Sequence, residues 1–351
     1  MLRFFKQRIG KALAILLGLV FLIYFMFMAL PNPDDVLMGQ RGNADVRAAI
    51  VKDLGMDQSK PMQLALLVND LSPVSFYHIE SSKLSEISGF NLFNVRGVGI
   101  VIKWPYLRKS FLTRNYVSHI LWEGFKGTSV LALAALFISM IIGIPLGIIA
   151  SVKRGTWIDS FIVGISTIGI SVPSFFSAMI FSWLFGYVLK VYTGLNMVGH
   201  LFEVDPLGNG HVLTLKNLIL PALALGIRPL AVFVQLTRNT MVEILDLDYV
   251  RTAQAKGLSF KKVILKHAFP NAINPLVTSV GGWLSSLLAG AFFTEYIFNW
   301  KGLGKIGIEA LQQSDLPVIM GTVLFTAGVF FIINLLTEYL YIRLDPKIRY
   351  E

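Results

Sequence analysis

Apolar and polar positions divide this chain into long greasy runs separated by short basic turns. From Ala12 to Leu30 no charged side chain interrupts a run of about 19 residues, the length that crosses the hydrocarbon core of a bilayer. A cleavable leader has a shorter apolar stretch, about 7–15 residues, closed by a small-residue site. Here the run stops at Pro31-Asn32-Pro33-Asp34-Asp35, which suits the end of a retained helix. Five more runs have the same character, so the pattern predicts six spans at roughly 9–30, 118–151, 157–190, 214–238, 274–294 and 318–342. The second and third exceed what a bilayer requires, so they tilt or continue as helices beyond it. Ser171-Val172-Pro173-Ser174 interrupts the third. A kink is expected there, because Pro lacks a backbone donor and clashes with the preceding turn.

One stretch breaks the rhythm. Residues 239–272 are polar, basic and helix-forming, yet they lie between the fourth and fifth runs. Asn239 to Asp246 extends the fourth helix. Asp246 or Asp248 is placed to cap a new one or to stand in its first turn, where a carboxylate satisfies free N–H groups and the positive helix end. Tyr249 to Lys256 makes a short helix that Gly257 closes, since Gly tolerates the left-handed conformation of a helix stop. Ser259 is placed to cap the next helix, Phe260 to Ala268, which Pro270 limits before the fifth span. On the first helix Tyr249, Thr252, Ala253 and Lys256 recur at three- and four-residue spacing and form a face of mostly small or aromatic residues. Such a face fits a groove in another protein, with Tyr as the anchor. The same helix also fits lipid headgroups, held by Arg251, Lys256, Lys261 and Lys262. The residues alone leave both readings open.

Composition agrees with the membrane reading. Of 351 residues, 54% are hydrophobic and 15% charged, and the mean hydropathy is +0.64. A soluble chain would carry about 25% charged residues. There is no cysteine, so neither a disulfide framework nor a thiolate metal site is available. The net charge of +10 does not imply nucleic acid, because Lys and Arg gather in short turns. They are Arg3, Lys6, Arg8 and Lys11; Lys153 and Arg154; Arg238, Arg251, Lys256, Lys261, Lys262 and Lys266; and Arg343, Lys347 and Arg349. With six spans all four groups fall on one side, which makes both termini cytoplasmic. The loop from 31 to about 115 then lies outside and is large enough for a small cap. It holds a helical-looking piece, Asp45 to Leu54, and a Ser-rich, aromatic stretch, Leu71 to Phe93.

The wording Asp248-Tyr249-Val250-Arg251-Thr252-Ala253-Gln254-Ala255-Lys256-Gly257, with His267-Ala268-Phe269-Pro270 beyond it, resembles the coupling-helix motif of ABC importer permeases. Within that group it is similar to the oligopeptide/dipeptide/nickel family, in its first, B-type permease. Arg251-Thr252-Ala253 stands at the family's Glu-Ala-Ala, Gly257 at its Gly, and His267-Ala268-Phe269-Pro270 at its Ile-x-Leu-Pro. Arg251 departs from the generic Glu as the peptide branch does, and His267 departs from the generic Ile. Val172-Pro173-Ser174-Phe175, Leu220-Pro221-Ala222-Leu223, Phe298-Asn299-Trp300-Lys301-Gly302-Leu303-Gly304 and Leu344-Asp345-Pro346-Lys347 follow in family order. Lys301 stands where the family has Pro.

The resemblance implies an all-α polytopic membrane protein with six transmembrane helices and the type I ABC importer permease fold. It implies four divisions: 1–30, tail and first span; 31–115, extracytoplasmic cap with an insertion at 73–108; 116–343, the core of five spans with the coupling segment 239–272; and 344–351, a cytoplasmic tail. It implies a multi-pass protein of the bacterial inner membrane that is not an enzyme. Its expected partners are a second homologous permease, two ATP-binding subunits, an extracytoplasmic solute-binding protein and the bilayer. Peptides are the expected solutes, with nickel or another small solute as the alternative. The contact with the ATPase is assigned to Asp248, Tyr249, Arg251, Thr252, Ala253, Ala255, Lys256, Gly257 and Leu258.

Other chemistry is sparse. Gly-Lys at 10–11 and 304–305 is followed by Ala12 and Ile306, so neither offers the hydroxyl of a phosphate loop. ATP and Mg are therefore expected in partner subunits, with no cofactor on this chain. Histidines 78, 119, 200, 211 and 267 lack ligand spacing, so no metal site is expected. An ion-driven secondary transporter would want intramembrane acids and paired broken helices, and the spans are acid-poor. Candidates for lining a pathway are Arg228, deep in the fourth span, Pro173 at the kink, and Glu295 at the outer end of the fifth. Each also has a structural reading: a tie to a neighbouring carbonyl, a helix break, or packing. Gly143, Gly147, Gly281, Gly282 and Gly290 are placed to let helices approach closely.

Overall fold

A computed structural model describes residues 2–29, 58–78, 89–95, 98–205 and 210–344. The helical-looking piece at 45–54 and the tail beyond Leu344 lie outside the described residues. The chain divides into two compact units, Met1–Glu123 with Ile306–Ala327, and Gly124–Lys305 with Gly328–Glu351.

The first unit opens with helix α1 (Leu2–Ala29) and continues with α2 (Lys60–Leu71), β1 (Val74–His78), β2 (Gly89–Val95) and β3 (Val98–Lys103). The strands form an antiparallel sheet in the order β1-β3-β2, with Val74 opposite Ile102 and His78 opposite Val98. A register shift between Asn91 and Phe93 bends β2 along β3. Along β3 the side chains alternate: Gly99, Val101 and Lys103 are buried on one face. Asp70, at the end of α2, organises the polar interior. Its carboxylate accepts hydrogen bonds from Arg108 Nε (2.9 Å) and the Tyr77 hydroxyl (3.1 Å), and Lys103 donates to its carbonyl. Burial pushes the Lys103 ammonium down to about 8, partly opposed by the Asp70 charge. The unit also holds part of the sixth span, where Asp315 accepts from the Ser110 hydroxyl (2.5 Å) and the Phe111 N–H (3.2 Å).

The second unit is built on long helices. In chain order they are α3 (Val117–Val152), α4 (Trp157–Ser171), α5 (Ser174–Trp183), α6 (Lys190–Thr193), α7 (Lys216–Leu245), α8 (Asp248–Ala255), α9 (Phe260–Val263), α10 (Phe269–Gly290), α11 (Phe292–Ile297), α12 (Leu303–Gln312) and α13 (Leu316–Leu344). Helices α3, α12 and α13 contribute residues to both units. A two-stranded ribbon, β4 (Phe202–Val204) with β5 (His211–Leu213), precedes α7. Among the described residues four helices are long and apolar enough to cross a membrane: Val117–Val152, Lys216–Leu245, Phe260–Gly290 and Leu316–Tyr339. The α4–α5 pair makes a fifth, broken span, and at the place of the first span expected from sequence α1 carries a shorter apolar segment, Gly10–Phe25.

Two expectations change here. The kink at Val172-Pro173 is a bend of 109° between α4 and α5. With about 22 Å of rise, α4 is shorter than the hydrocarbon core. The fifth span was expected at 274–294 with Pro270 ending the helix before it; instead helix runs from Phe260 to Gly290. A π-turn at Ile264–Ala268 widens the backbone immediately before the ring. Pro270 therefore falls in the first turn of α10, where a missing N–H leaves no carbonyl unpaired.

Backbones meet where α3 crosses α7. A Cβ on Gly143 would lie 2.8 Å from the Leu230 carbonyl oxygen, one on Gly147 2.6 Å from that of Val234, and one on Gly226 2.8 Å from that of Ala135. The Ser139 hydroxyl donates to the Gly226 carbonyl at 2.7 Å across the same crossing. Around it lies the buried apolar core, with Leu131, Ala135, Leu225, Phe233, Leu276 and Trp300. Gly281 similarly admits Thr337 of α13, whereas nothing lies within 4 Å of a Cβ built on Gly282 or Gly290. Leucine at Gly147 overfills the α3–α7 crossing by about 1–3 kcal/mol, so thermal unfolding in detergent is expected to shift downward for Gly147→Leu and to stay unchanged for Gly282→Leu. Equal melting of the two variants would contradict the packing.

Candidate functional site: a docking segment between two spans

Helix α7 ends at Leu245, and α8 begins three residues later. The cap position is held by Leu247, with no side-chain cap hydrogen bond. Neither aspartate holds the cap, but the other expected role, an acid in the first turn, is met. Asp248 sits in the first turn, near the positive helix end. Asp246 instead meets Arg154 Nη1 at 2.9 Å, an exposed pair of little energetic weight.

The inner face of α8 is Val250 and Ala253, buried against Met241 and Ile244 of α7, Val263 of α9, Ile264 and Ala268 of the π-turn, and Ala272 of α10. This corrects the sequence reading of Ala253. Its small side chain lets α8 close onto its own chain, so it is not on the outward face. The outward residues are Asp248, Tyr249, Arg251, Thr252, Ala255 and Lys256. Exposed Lys261, Lys262 and Lys266 add a basic rim. Leu258, half-buried, packs on the inner cluster. Tyr249 is 41% exposed, and its hydroxyl oxygen accepts from Asn271 Nδ2 at 2.8 Å. The same amide donates to the His267 carbonyl at 3.1 Å. Tyr249 is thus tied to the start of α10, and His267 serves as an ordinary helix-end residue through its backbone.

Gly257 has φ +78°, donates its N–H to the Gln254 carbonyl at 2.9 Å, and has open space where a Cβ would be. Only the left-handed backbone calls for Gly there. Ser259 holds the next cap position without a side-chain cap bond.

The three pathway candidates separate. Arg228 is exposed on α7, between residues that pack on α3. Pro173 is exposed at the corner of the broken span, in the cap position of α5. A groove of about 330 Å³ lies beside this corner, lined by Ile165, Gly169, Phe176, Ile227 and Leu230 among others. Glu295 is fully buried and is not exposed to any pathway in this chain. Its carboxylate accepts from the Thr128 hydroxyl (2.6 Å) and the N–H groups of Gly304 (2.7 Å) and Lys305 (3.2 Å), while the Thr128 oxygen accepts from the Leu303 N–H (2.8 Å). Together they satisfy the first turn of α12. Gly302 and Gly304 make room: a Cβ there would lie 2.4 Å from the carboxyl carbon and 2.2 Å from the Phe292 Cα. Trp300, buried, donates to the Gly127 carbonyl at 2.9 Å and closes the knot.

The sequence reading passed over one pair. Asp159 stands in the first turn of the apolar α4, and Arg238 grips its carboxylate with Nε (3.0 Å) and Nη2 (2.8 Å). The signal was a lone acid in a greasy run, which requires a partner.

The family described as binding-protein-dependent transport system inner membrane component matches residues 143–350, and its N-terminal counterpart matches residues 1–77. The dipeptide transport system permease protein DppB of Escherichia coli (strain K12) is 33% identical over 373 residues, covering 100% of both chains. The di/tripeptide transport system permease protein DppB of Pseudomonas aeruginosa (strain UCBPP-PA14) is 31% identical over 367 residues, again covering 100% of both. Among solved structures, an inward-facing conformation of the MetNI methionine ABC transporter matches with a TM-score of 0.52 and 17% identity, covering 65% of this chain and 97% of that one. That likeness concerns the fold.

The Glu295 knot lies beyond the end of the fifth span and generates a pH dependence. Burial pushes its carboxyl up to about 7 from 4.5, against the lowering effect of its three donors. A raised acid binds its proton more tightly in the folded state, so stability is full below pH 4.5, falls as pH rises to about 7, and is flat above it. Glu295→Gln is expected to flatten the melting temperature between pH 5 and about 7. An unchanged slope in that variant would assign the pH dependence to other groups.

Proposed function

The chain belongs to the binding-protein-dependent transport system inner membrane component family, and on that premise we propose that it moves small peptides inward, driven through α8 by a separate ATPase. It is a multi-pass inner-membrane permease of an ABC importer, not an enzyme. ATPase and solute-binding partners accompany this class of chain. We infer the finer arrangement: one further permease subunit, two ATP-binding subunits holding ATP and Mg, one solute-binding protein outside, and both termini in the cytoplasm. Dipeptides and tripeptides are favoured as solutes because the full-length relatives carry those names.

The observation that supports the coupling role is the construction of α8. Its inner face is buried on the ends of α7, α9 and α10, while Tyr249, Arg251, Thr252 and Lys256 point away from the chain. A helix so mounted cannot be displaced without displacing the spans it grips. ATP closes the ATPase dimer, the groove that holds α8 moves, and the inner ends of two spans move with it. The energy that enters is the difference in binding of α8 to two ATPase states. Tyr249 supplies an anchor that is exposed enough to enter a groove and still tied to α10 through Asn271.

Uptake of a labelled dipeptide by proteoliposomes holding the full importer tests the reading. Gly257→Ile forces a β-branched residue into the left-handed region, at a local strain of about 1–2 kcal/mol, with no packing clash. It is expected to abolish uptake while leaving membrane insertion intact, and Gly257→Asn is expected to retain most of it. Ala253→Asp is expected to lower the amount of folded subunit as well, because it buries a charge. Normal dipeptide uptake by Gly257→Ile would remove α8 from the coupling role, and absence of any peptide uptake by the wild-type importer would remove the substrate assignment.

A further inference from the structure

The inner end of the broken span is fastened in a way that packing alone does not require. Asp159 is 5% exposed, in the first turn of α4. Arg238 lies on α7 about two turns before Leu245, and α7 is continuous from there to Leu245, three residues before α8 begins. The guanidinium forks onto both carboxylate oxygens, Nε to Oδ1 at 3.0 Å and Nη2 to Oδ2 at 2.8 Å. Oδ2 also accepts the Gly155 N–H at 3.0 Å, which ties the turn between α3 and α4 into the same contact. Apolar residues would fill this place at no electrostatic cost, since taking a charge pair out of water offsets most of its attraction. What a two-pronged pair supplies is a fixed register between two helices. Beyond the fork α4 and α5 leave α7 less tightly filled: the groove of about 330 Å³ lined by Ile162, Ile165, Ile227 and Leu230 lies on this side. The broken span is therefore pinned at its inner end and loosely packed toward its corner at Val172 and Pro173.

We propose that the Asp159–Arg238 fork is the positioning contact that carries movement of α8, along the end of α7, into the α4–α5 bend. The inference rests on the coupling reading of α8. Displacing α8 turns the last two turns of α7, the fork obliges α4 to follow, and the bend opens or closes because α5 also packs on α11. Neither residue touches solute or ATPase. Their effect is on how much transport each hydrolysed ATP yields.

The test uses the full importer in proteoliposomes and reads two quantities together, dipeptide moved and ATP hydrolysed. Asp159→Asn and Arg238→Gln are each expected to cut the transport-to-hydrolysis ratio about tenfold while ATP hydrolysis stays within about twofold of wild type. The double variant is expected to be no worse than the poorer single, because both remove one interaction. Where Asp159→Asn fails to assemble, Arg238→Lys, which keeps the charge and loses the fork, carries the same expectation. A wild-type ratio in Asp159→Asn or Arg238→Lys overturns the proposal, and so does a fall in transport that merely tracks the amount of assembled complex. Gly257→Ile is run alongside. If it is uncoupled and the fork variants are not, only the relay fails; if it transports normally, the docking reading fails and the relay with it.

Discussion

Within a bilayer, lipid tails compete with apolar side chains on equal terms, so α3 and α7 are held together by closeness rather than by hydrophobicity. The absence of side chains at Gly143, Gly147 and Gly226 lets carbonyl oxygens and Cα atoms come within reach of one another. Dispersion then acts over many short contacts, and a hydroxyl, Ser139, bonds across the crossing. The inner ends of α3 and α7 meet at the same place, and the α8 pocket is built on them: Ile148 and Val152 of α3 pack against the cluster that holds Val250 and Ala253. Loosen the crossing and the platform under α8 loses its floor.

The second unit shows how a membrane chain spends its few polar groups. Asp159 and Arg238 satisfy one another at the inner end of α4. Glu295 and Thr128 satisfy the first turn of α12, outside the last residue of the fifth span. In each case the polar atoms face a specific donor or acceptor, and the exposed surface of the spans is left to apolar residues such as Leu133, Phe137 and Ile141. Proline is handled in the same spirit. At Pro270 a π-turn absorbs the ring and the helix continues; at Pro173, with no such slack, the span breaks by 109°.

Much of this was legible in the residues. Span positions follow from apolar run length, and α8 follows from a polar block that starts with Asp248 and ends at Gly257. The direction in which α8 faces did not follow. Spacing groups Ala253 with Tyr249 and Thr252, but which arc of an eight-residue helix turns inward depends on the neighbouring helices, and Val250 decides it. The role of Glu295 was also hidden. A carboxylate near a span end reads equally as gate or cap until the N–H groups of Gly304 and Lys305 are placed beside it. The strands of the first unit escaped an all-α expectation; in β3 the buried face carries Gly99, Val101 and Lys103, so apolar and polar residues do not alternate in its sequence.

The knot at Glu295 has a bearing on how the protein is made. Thr128 leaves the ribosome 167 residues ahead of the carboxylate it bonds, and 175 ahead of the Leu303 amide that bonds it. For that whole interval the early span sits in the membrane with an unpaired hydroxyl, and the acid itself must be delivered before its backbone donors exist. No order of insertion closes the knot early. Biogenesis of the core therefore has a late checkpoint, and a chain that stops short of residue 304 leaves the acid with Thr128 alone of its three donors.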